Sequence, residues 1–303
     1  MFQKNIPLKK YTSFKIGGPA DYFFKVRKIK NLIEAVKEAK QNKIPIFIFA
    51  GGTKILVSDK GIKGLVIKIQ TSKIEIKKNR IISEAGVNLN KLVAASIKNG
   101  LTGLEWAIGI PGTIGGAIHG NSGAFGASIS NSVKSVTALN PKNFKIKKYS
   151  GKQCRFGYRD SIFKKNKNII LSVELQLKQN KSKNNLETIR GYLKRRKERI
   201  PEYYSAGSVF KNLKFKSLNK DIQKIIPKNK IKGGMVPAGY LIENCGLKGK
   251  SSGGAKISEQ QANIIINFNK AREKDVSSLI DLAKKQVKKK FGVKLEEEII
   301  YLG

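Results

Sequence analysis

Residues 100–126 constrain the fold of this chain more than any other stretch, because they combine closely spaced glycines with apolar side chains. The glycines are Gly109, Gly112, Gly115, Gly116, Gly120, Gly123 and Gly126. Glycine tolerates a positive φ and lets the backbone approach a partner closely, whereas a flexible linker would mix its glycines with serine and charge. The run keeps Ile108, Ile110, Ile114, Ile118 and Phe125 instead. It predicts a buried, backbone-lined wall against a large flat ligand; a tight hairpin inside a β-rich core is the alternative.

Length and residue types narrow the class of protein. A chain of 303 residues can bury a sizeable core and predicts two or three domains. No signal-peptide pattern opens the chain and no apolar run is long enough to span a membrane, so we expect a cytoplasmic protein. Cys154 and Cys245 are isolated and His119 is the only histidine. We therefore expect neither a disulfide nor a metal site, and a single histidine removes most histidine-based triads from consideration.

The formal net charge of +40 raises the question of nucleic-acid binding. The lysines are spread through the whole chain rather than gathered into one arm. We interpret them mainly as a solvated surface that binds polyanions without specificity, and expect no specific nucleic-acid partner. A basic nucleic-acid-binding protein remains the alternative from another class.

A glycine turn follows a short apolar strand near the N-terminus. The pattern predicts a helix from Ile29 to Lys43, a strand at Ile46–Ala50, and then the turn Gly51-Gly52-Thr53-Lys54. Free backbone N–H groups at such a strand end can hold a phosphate, although an ordinary turn is the alternative interpretation.

The polar run at 179–185 is the predicted domain boundary. Beyond it we expect a basic helix at Leu186–Ile200 with Leu186, Ile189 and Leu193 facing inward. Near the C-terminus, Asp275 is predicted to cap a helix that ends at Phe291.

The segments 109–117 and 121–126 closely resemble the flavin-cradling segment of the UDP-N-acetylenolpyruvoylglucosamine reductase family. Matching motifs follow in the family's order along essentially the whole chain: Tyr158-Arg159-x-Ser161, Ser205–Asn212, Ala238–Glu243 and Leu295–Ile299. The little length available after Gly207 favours the shorter, type II subgroup. The chain departs from the family at Thr53 and Lys54, which replace serine and asparagine, and at Gln261, where histidine is common.

The resemblance implies an α+β fold with an N-terminal FAD-binding domain at 1–181 and a C-terminal substrate-binding domain at 182–303. The first would comprise two α/β subdomains of the PCMH type, at about 1–68 and 69–181. NADPH would be the co-substrate and the protein a monomer. We further expect Lys54 to pair with the FAD pyrophosphate in place of the missing asparagine. The residues implied to contact FAD are Gly51, Gly52, Thr53, Lys54, Gly109, Ile110, Pro111, Gly112, Thr113, Gly115, Gly116, Ala117, Asn121 and Gly123.

The implied reaction reduces the enolpyruvyl group of a UDP-sugar for peptidoglycan synthesis. The resemblance makes Ser208 the proton donor, while Arg159 and Glu298, the latter as a protonated acid, would stabilise the enolate. Substrate contacts would come from Tyr158, Arg195, Arg196, Lys211 and Asn212. Basic residues at a helix end also simply match the helix dipole, so the role of Arg195 and Arg196 stays open. Two alternatives remain: another oxidoreductase of the same FAD-domain superfamily, and a flavin-free nucleic-acid-binding descendant.

Overall fold

A computed structural model describes residues 2–180 and 185–303, except the side chain of Asn185. The strands are β1 Gln3–Pro7, β2 Pro19–Val26, β3 Ile46–Phe49, β4 Ile55–Val57, β5 Ile62–Ile69, β6 Ile74–Lys77, β7 Arg80–Glu84, β8 Leu101–Thr102, β9 Gly123–Ala124, β10 Ala127–Ser128, β11 Val133–Leu139, β12 Ile146–Ser150, β13 Ile169–Gln176, β14 Lys178–Gln179, β15 Tyr204–Ser208, β16 Leu213–Lys214, β17 Met235–Val236, β18 Ser251–Ser252, β19 Ala255–Ile257, β20 Ile264–Asn267 and β21 Ile300–Leu302. The helices are α1 Ile29–Gln41, α2 Leu89–Lys98, α3 Ile114–Gly120, α4 Ile162–Asn166, α5 Asn185–Arg199, α6 Lys220–Ile225, α7 Ala238–Asn244 and α8 Glu273–Phe291.

The chain forms two units, each assembled from separate segments. The first unit comprises Met1–Ile6, Ala20–Gly51 and Lys63–Arg196. The second comprises Pro7–Pro19, Gly52–Ile62 and Lys197–Gly303. This division falls inside α5, whereas the sequence predicts a boundary at 181/182, and residues 181–184 lie outside the described part of the chain. The predicted domain limits stay a prediction.

The first unit contains two larger sheets, of four and five strands, beside two-stranded ones. One has the strand order β1-β2-β5-β3, with β3 and β5 parallel. The other has the order β12-β11-β13-β7-β6 and is antiparallel throughout. Strand β13 alternates buried and half-buried side chains over most of its length, as expected of a strand whose two faces differ in solvent access.

The Gly-rich run becomes a short helix followed by a two-stranded hairpin, both in the first unit. Thr113 caps α3 by accepting a hydrogen bond from the N–H of Gly116 at 3.4 Å. The apolar residues Ile114, Ala117 and Ile118 are buried, which places the run in the core as predicted. The hairpin of β9 and β10 is half-buried and extends beyond residue 126, so it is not the tight hairpin inside a β-rich core of the alternative interpretation.

Helix α5 turns a different face inward than the sequence predicts. Leu186 and Leu193 are 61% and 44% exposed, so assigning them to the buried face was wrong. Ile189 and Tyr192 are the half-buried apolar residues of this helix, and both pack against the hydrophobic core of the first unit. The reason is that Tyr192 stacks on Phe125, with ring centroids 4.4 Å apart, which fixes the rotation of the helix.

The second unit is built around a sheet with the order β15-β20-β19-β18. Helix α8 packs its apolar stripe into this core: Val276, Leu279, Ile280, Ala283 and Val287 are all buried, as predicted. Arg272, not Asp275, is the N-cap residue. Asp275 is the third residue of the helix, in its first turn, and its carboxylate accepts from the N–H groups of Arg272 and Gly254.

The C-terminal strand β21 pairs in parallel with β4, also within the second unit. This mixture of parallel and antiparallel sheets with helices confirms the predicted α+β class. Among the described residues, no helix combines the length and apolar character needed to cross a membrane.

Candidate active site

In the first unit, Gly51, which follows β3, packs directly on the Gly-rich run. A Cβ atom on Gly51 would lie 2.5 Å from the Cα of Gly112, and one on Gly115 would lie 2.8 Å from the Cβ of Ala85. Both distances are shorter than real side-chain contacts, so only glycine fits at either position. The result is a surface formed by backbone.

This surface offers donors suited to an anion. Among the described residues, none accepts a hydrogen bond from the backbone N–H of Gly51, Gly112 or Thr113. Nearby, the ammonium of Lys68 donates to the carbonyl of Ala50, and burial lowers the pKa of Lys68 from its ordinary value. Unpaired N–H groups beside a half-buried cation fit a phosphate-bearing group such as the diphosphate of a dinucleotide.

Arg159 occupies a strained position close to the end of the same run. Its backbone has a φ of 54°, a left-handed conformation that a non-glycine residue adopts at a cost. Its guanidinium donates to the carbonyl of Gly123 at 2.8 Å and lies 5.5 Å from the ring of Tyr158. Asn121 donates to the carbonyl of Gly157 at 2.7 Å, which joins the two loops a second time. A permanent positive charge is thus fixed in place.

Arg196 binds the beginning of the run. It donates to the carbonyl of Ile108 at 2.7 Å and to that of Trp106 at 3.1 Å, and its guanidinium lies 5.1 Å from the ring of Phe125. Burial lowers the pKa of Arg196 from its ordinary value. Its neighbour Arg195 is exposed. These contacts favour a role for Arg196 in holding the Gly-rich run.

In the second unit, Ser208 and Glu298 lie close to a lysine that they share. The N–H of Glu298 donates to the carbonyl of Val209 at 2.7 Å, directly after Ser208. The Nζ atom of Lys54 lies 3.2 Å from Oε1 of Glu298 and 2.6 Å from the carbonyl oxygen of Ser208. The backbone carbonyl of Ser208, the carboxylate of Glu298 and the ammonium group of Lys54 thus form one cluster.

Two other predicted substrate residues lie in the second unit. Lys211 forms an ion pair with Glu296, and the side chain of Asn212 accepts from the N–H of Ala238 at 3.2 Å. Tyr158, in the first unit, is 41% exposed and so remains accessible to a ligand.

Comparison with known proteins identifies the family. Residues 20–143 match the profile of an FAD binding domain, and residues 200–302 match that of the C-terminal domain of UDP-N-acetylenolpyruvoylglucosamine reductase. The reductase of that name from Solibacter usitatus (strain Ellin6076) is 36% identical over 98% of this chain and 95% of its own length. The one from Alkaliphilus oremlandii (strain OhILAs) is 40% identical over 98% of this chain and 92% of its own. The chain belongs to the UDP-N-acetylenolpyruvoylglucosamine reductase family.

A solved structure agrees with this family assignment. The UDP-N-acetylenolpyruvylglucosamine reductase from Thermus caldophilus superposes with a TM-score of 0.78 and 28% identity, over the whole of both chains. As a member of the reductase family with an FAD-binding domain, the chain is a flavoprotein oxidoreductase. The predicted family is thereby confirmed.

The two regions of the chain that match family profiles contain most of the residues predicted to bind FAD or to take part in catalysis. Every residue predicted to contact FAD lies within 20–143, and Ser208 and Glu298 lie within 200–302. Arg159 belongs to the first unit and lies between the two matched regions. Sequence reasoning missed Lys68, and its signal was a single lysine inside the otherwise apolar strand end Leu65–Ile69.

Lys54 is the predicted residue whose observed contacts differ most from expectation. Its Nζ atom binds the Glu298 carboxylate and the Ser208 carbonyl. The pairing of Lys54 with a pyrophosphate stays a prediction.

Proposed function

We propose that this chain is an NADPH-dependent flavoenzyme that reduces the enolpyruvyl group of UDP-N-acetylglucosamine enolpyruvate. The product would be UDP-N-acetylmuramate, for peptidoglycan synthesis. Overall, one hydride and one proton add across the C=C bond, while NADPH becomes NADP⁺. The charge that develops on the substrate carboxylate then needs cationic or acidic neighbours, and the adjacent carbon needs a proton donor.

Arg159 would bind the substrate carboxylate, since its guanidinium is permanently charged and held by the Gly123 carbonyl. Ser208 would donate the proton through its hydroxyl, and Glu298 would act with Arg159 on the developing enolate. Tyr158, with its exposed ring, would contact the substrate. Lys211, Asn212 and Arg195 complete the proposed substrate contacts.

FAD, when bound, supplies the hydride that reaches the terminal carbon of the substrate. The glycine-lined surface of the first unit would hold it: Gly51 and Gly112 leave no side chain in the way, and the N–H groups of Gly51, Gly112 and Thr113 would donate to phosphate oxygens. The remaining proposed contacts are Gly52, Thr53, Gly109, Ile110, Pro111, Gly115, Gly116, Ala117, Asn121 and Gly123.

The observation that carries this proposal is the fixed pairing of Glu298 with the Ser208 segment through the Glu298–Val209 hydrogen bond. It lies in the region that matches the family's C-terminal domain. Glu298 is thus held next to the segment that carries Ser208, and a hydroxyl and a carboxyl group on neighbouring segments suit proton transfer to a carbon next to a developing oxyanion.

Two measurements test the proposal. The visible spectrum of the purified protein should show bound oxidised flavin, and NADPH oxidation should depend on the enolpyruvyl UDP-sugar. Flavin without that substrate dependence would favour another oxidoreductase of the same superfamily. Absence of flavin after reconstitution with FAD, with tight sequence-selective nucleic-acid binding at physiological salt, would favour the nucleic-acid-binding alternative.

A further inference from the structure

Lys54 makes two contacts that link the proposed catalytic residues of the second unit. Its Nζ atom lies 3.2 Å from Oε1 of Glu298 and donates to the carbonyl oxygen of Ser208 at 2.6 Å. The side chain of Glu298 is only 13% exposed, while that of Lys54 is 36% exposed. A carboxylate buried to this extent needs a partner, because an unpaired buried charge is costly.

The backbone fixes this cluster from both sides. On one side, the N–H of Ile300 donates to the carbonyl of Lys54 at 2.9 Å, where β21 begins to pair with β4. On the other side, the N–H of Glu298 donates to the carbonyl of Val209 at 2.7 Å. Glu298 is therefore held between the segment that carries Ser208 and the segment that carries Lys54. An ordinary surface ion pair lacks such constraints and contributes little to the stability of the fold.

The neighbouring glutamates also form ion pairs, which allows the Lys54–Glu298 pair to be compared with similar ones. Glu296, Glu297 and Glu298 follow one another in the chain, and each is paired with a different lysine, respectively Lys211, Lys284 and Lys54. Of these lysines, Lys54 is the one whose described contacts include the carbonyl of Ser208. The Lys284–Glu297 pair thus offers a control of the same chemistry in the adjacent residue.

We propose that Lys54 is a positioning residue for the proton-transfer half of the reaction. It holds the Glu298 carboxyl group and the segment that carries Ser208 in the arrangement that proton transfer requires. This inference rests on the proposed function.

A double-mutant cycle tests the contact without reference to activity. Lys54→Met keeps the length of the side chain but removes its charge, and Glu298→Gln removes the partner charge. Urea unfolding of the apoprotein should show that the effects of the two changes are not additive, since each removes the same contact. Additive effects would overturn the inference, whether or not the protein uses the proposed substrate.

Rapid mixing tests the functional part. With FAD saturating, Lys54→Met should leave flavin reduction by NADPH unchanged and slow reoxidation by the enolpyruvyl UDP-sugar about ten- to a hundredfold, the scale of a misplaced catalytic group. Lys54→Arg should restore part of the rate, because it restores the positive charge. Lys284→Met, which breaks the adjacent pair, should change neither half-reaction.

Titration of the apoprotein with FAD separates the two roles considered for Lys54. Unchanged FAD affinity with slow reoxidation supports the inference. Weakened FAD affinity with normal reoxidation at saturation would overturn it and make Lys54 a pyrophosphate ligand instead. Normal behaviour in both measurements would also overturn it. A wild-type protein that fails to use the enolpyruvyl substrate would instead refute the proposed function, and the unfolding cycle would still report on the contact.

Discussion

Arg196 donates to the carbonyl oxygen of Ile108 at 2.7 Å and so joins helix α5 to the residue just before the first glycine of the wall. The same guanidinium reaches the carbonyl of Trp106. A long basic side chain at a helix end thereby satisfies backbone acceptors in the neighbouring loop.

Arg196→Ala should destabilise the first unit by about 1–2 kcal/mol, since two charge-assisted hydrogen bonds are lost at a partly exposed site. Urea unfolding measures this effect. Lys194→Ala, on the exposed face of the same helix, is the control and should change the free energy of unfolding by less than about 0.5 kcal/mol. Equal effects of the two changes would show that Arg196 does not hold the run.

Ser208→Ala should separate the two halves of the proposed reaction. Removing the hydroxyl should leave flavin reduction by NADPH nearly intact and slow reoxidation by the substrate about 10²–10⁴-fold, the usual contribution of a positioned acid. The carbonyl that binds Lys54 remains in this variant. Ser205→Ala, in the same strand, serves as the control for rapid mixing. Equal slowing of both halves would make Ser208 a structural residue.

His119 should stay neutral well below its ordinary range. Burial lowers the pKa of His119 to about 4, and the charges of Lys164 and Lys167 act in the same direction. The unfolded chain therefore binds a proton on its histidine below about pH 6.5, whereas the folded chain binds it only below about pH 4. The free energy of unfolding should consequently fall as the pH falls through this window, by up to about 3 kcal/mol.

NMR can follow this titration directly, because the chain has one histidine. The imidazole signals should shift near pH 4, and His119→Gln should remove this part of the pH dependence of unfolding. An imidazole that titrates near 6.5 would contradict the prediction.

Asp275 should stabilise α8 through its ionised form. Burial alone would raise its pKa, but the N–H donors of Arg272 and Gly254, together with the charges of Arg272 and Lys274, outweigh burial and hold the pKa below its usual range. The stabilisation is therefore complete above about pH 3.9 and is lost as pH falls through the lower, folded-state value.

Asp275→Ala should cost about 1–2 kcal/mol at neutral pH, as for lost helix caps, and progressively less in acid. Chemical unfolding at several pH values measures both. Asp281→Ala, at an exposed position of the same helix, should have little effect at any pH. A cost that does not shrink in acid would show that the carboxylate charge is irrelevant.

Much of the fold could be predicted because local patterns agree with the final packing. The apolar spacing in α8 determines which of its faces is buried, and the buried residues are the ones that the spacing predicts. Helix α5 is the exception. Its sequence offers two leucines for the inward face, but stacking of Tyr192 on Phe125 decides the rotation, and that contact joins residues far apart in the chain.

The candidate site was predictable in its residues but less so in its contacts. Motifs locate Ser208 and Glu298 along the chain, yet only the fold shows that Lys54 lies between them. The side chain of Lys54 is long and flexible, so it can reach several partners from the turn. The neighbouring sequence does not indicate whether its partner is a pyrophosphate or a carboxylate. Lys68 escaped notice for a related reason, because its partner is a backbone carbonyl.

The parallel pairing of β21 with β4 also has a consequence for biosynthesis. Ile55 leaves the ribosome long before its partner Ile300 is made. The segments Pro7–Pro19 and Gly52–Ile62 are likewise synthesised long before the rest of the second unit. Closing so long a loop is slow, and the waiting strand exposes unpaired edges that invite association with other chains. The nascent chain is therefore most vulnerable to aggregation late in translation, when its first unit can already fold and its second cannot.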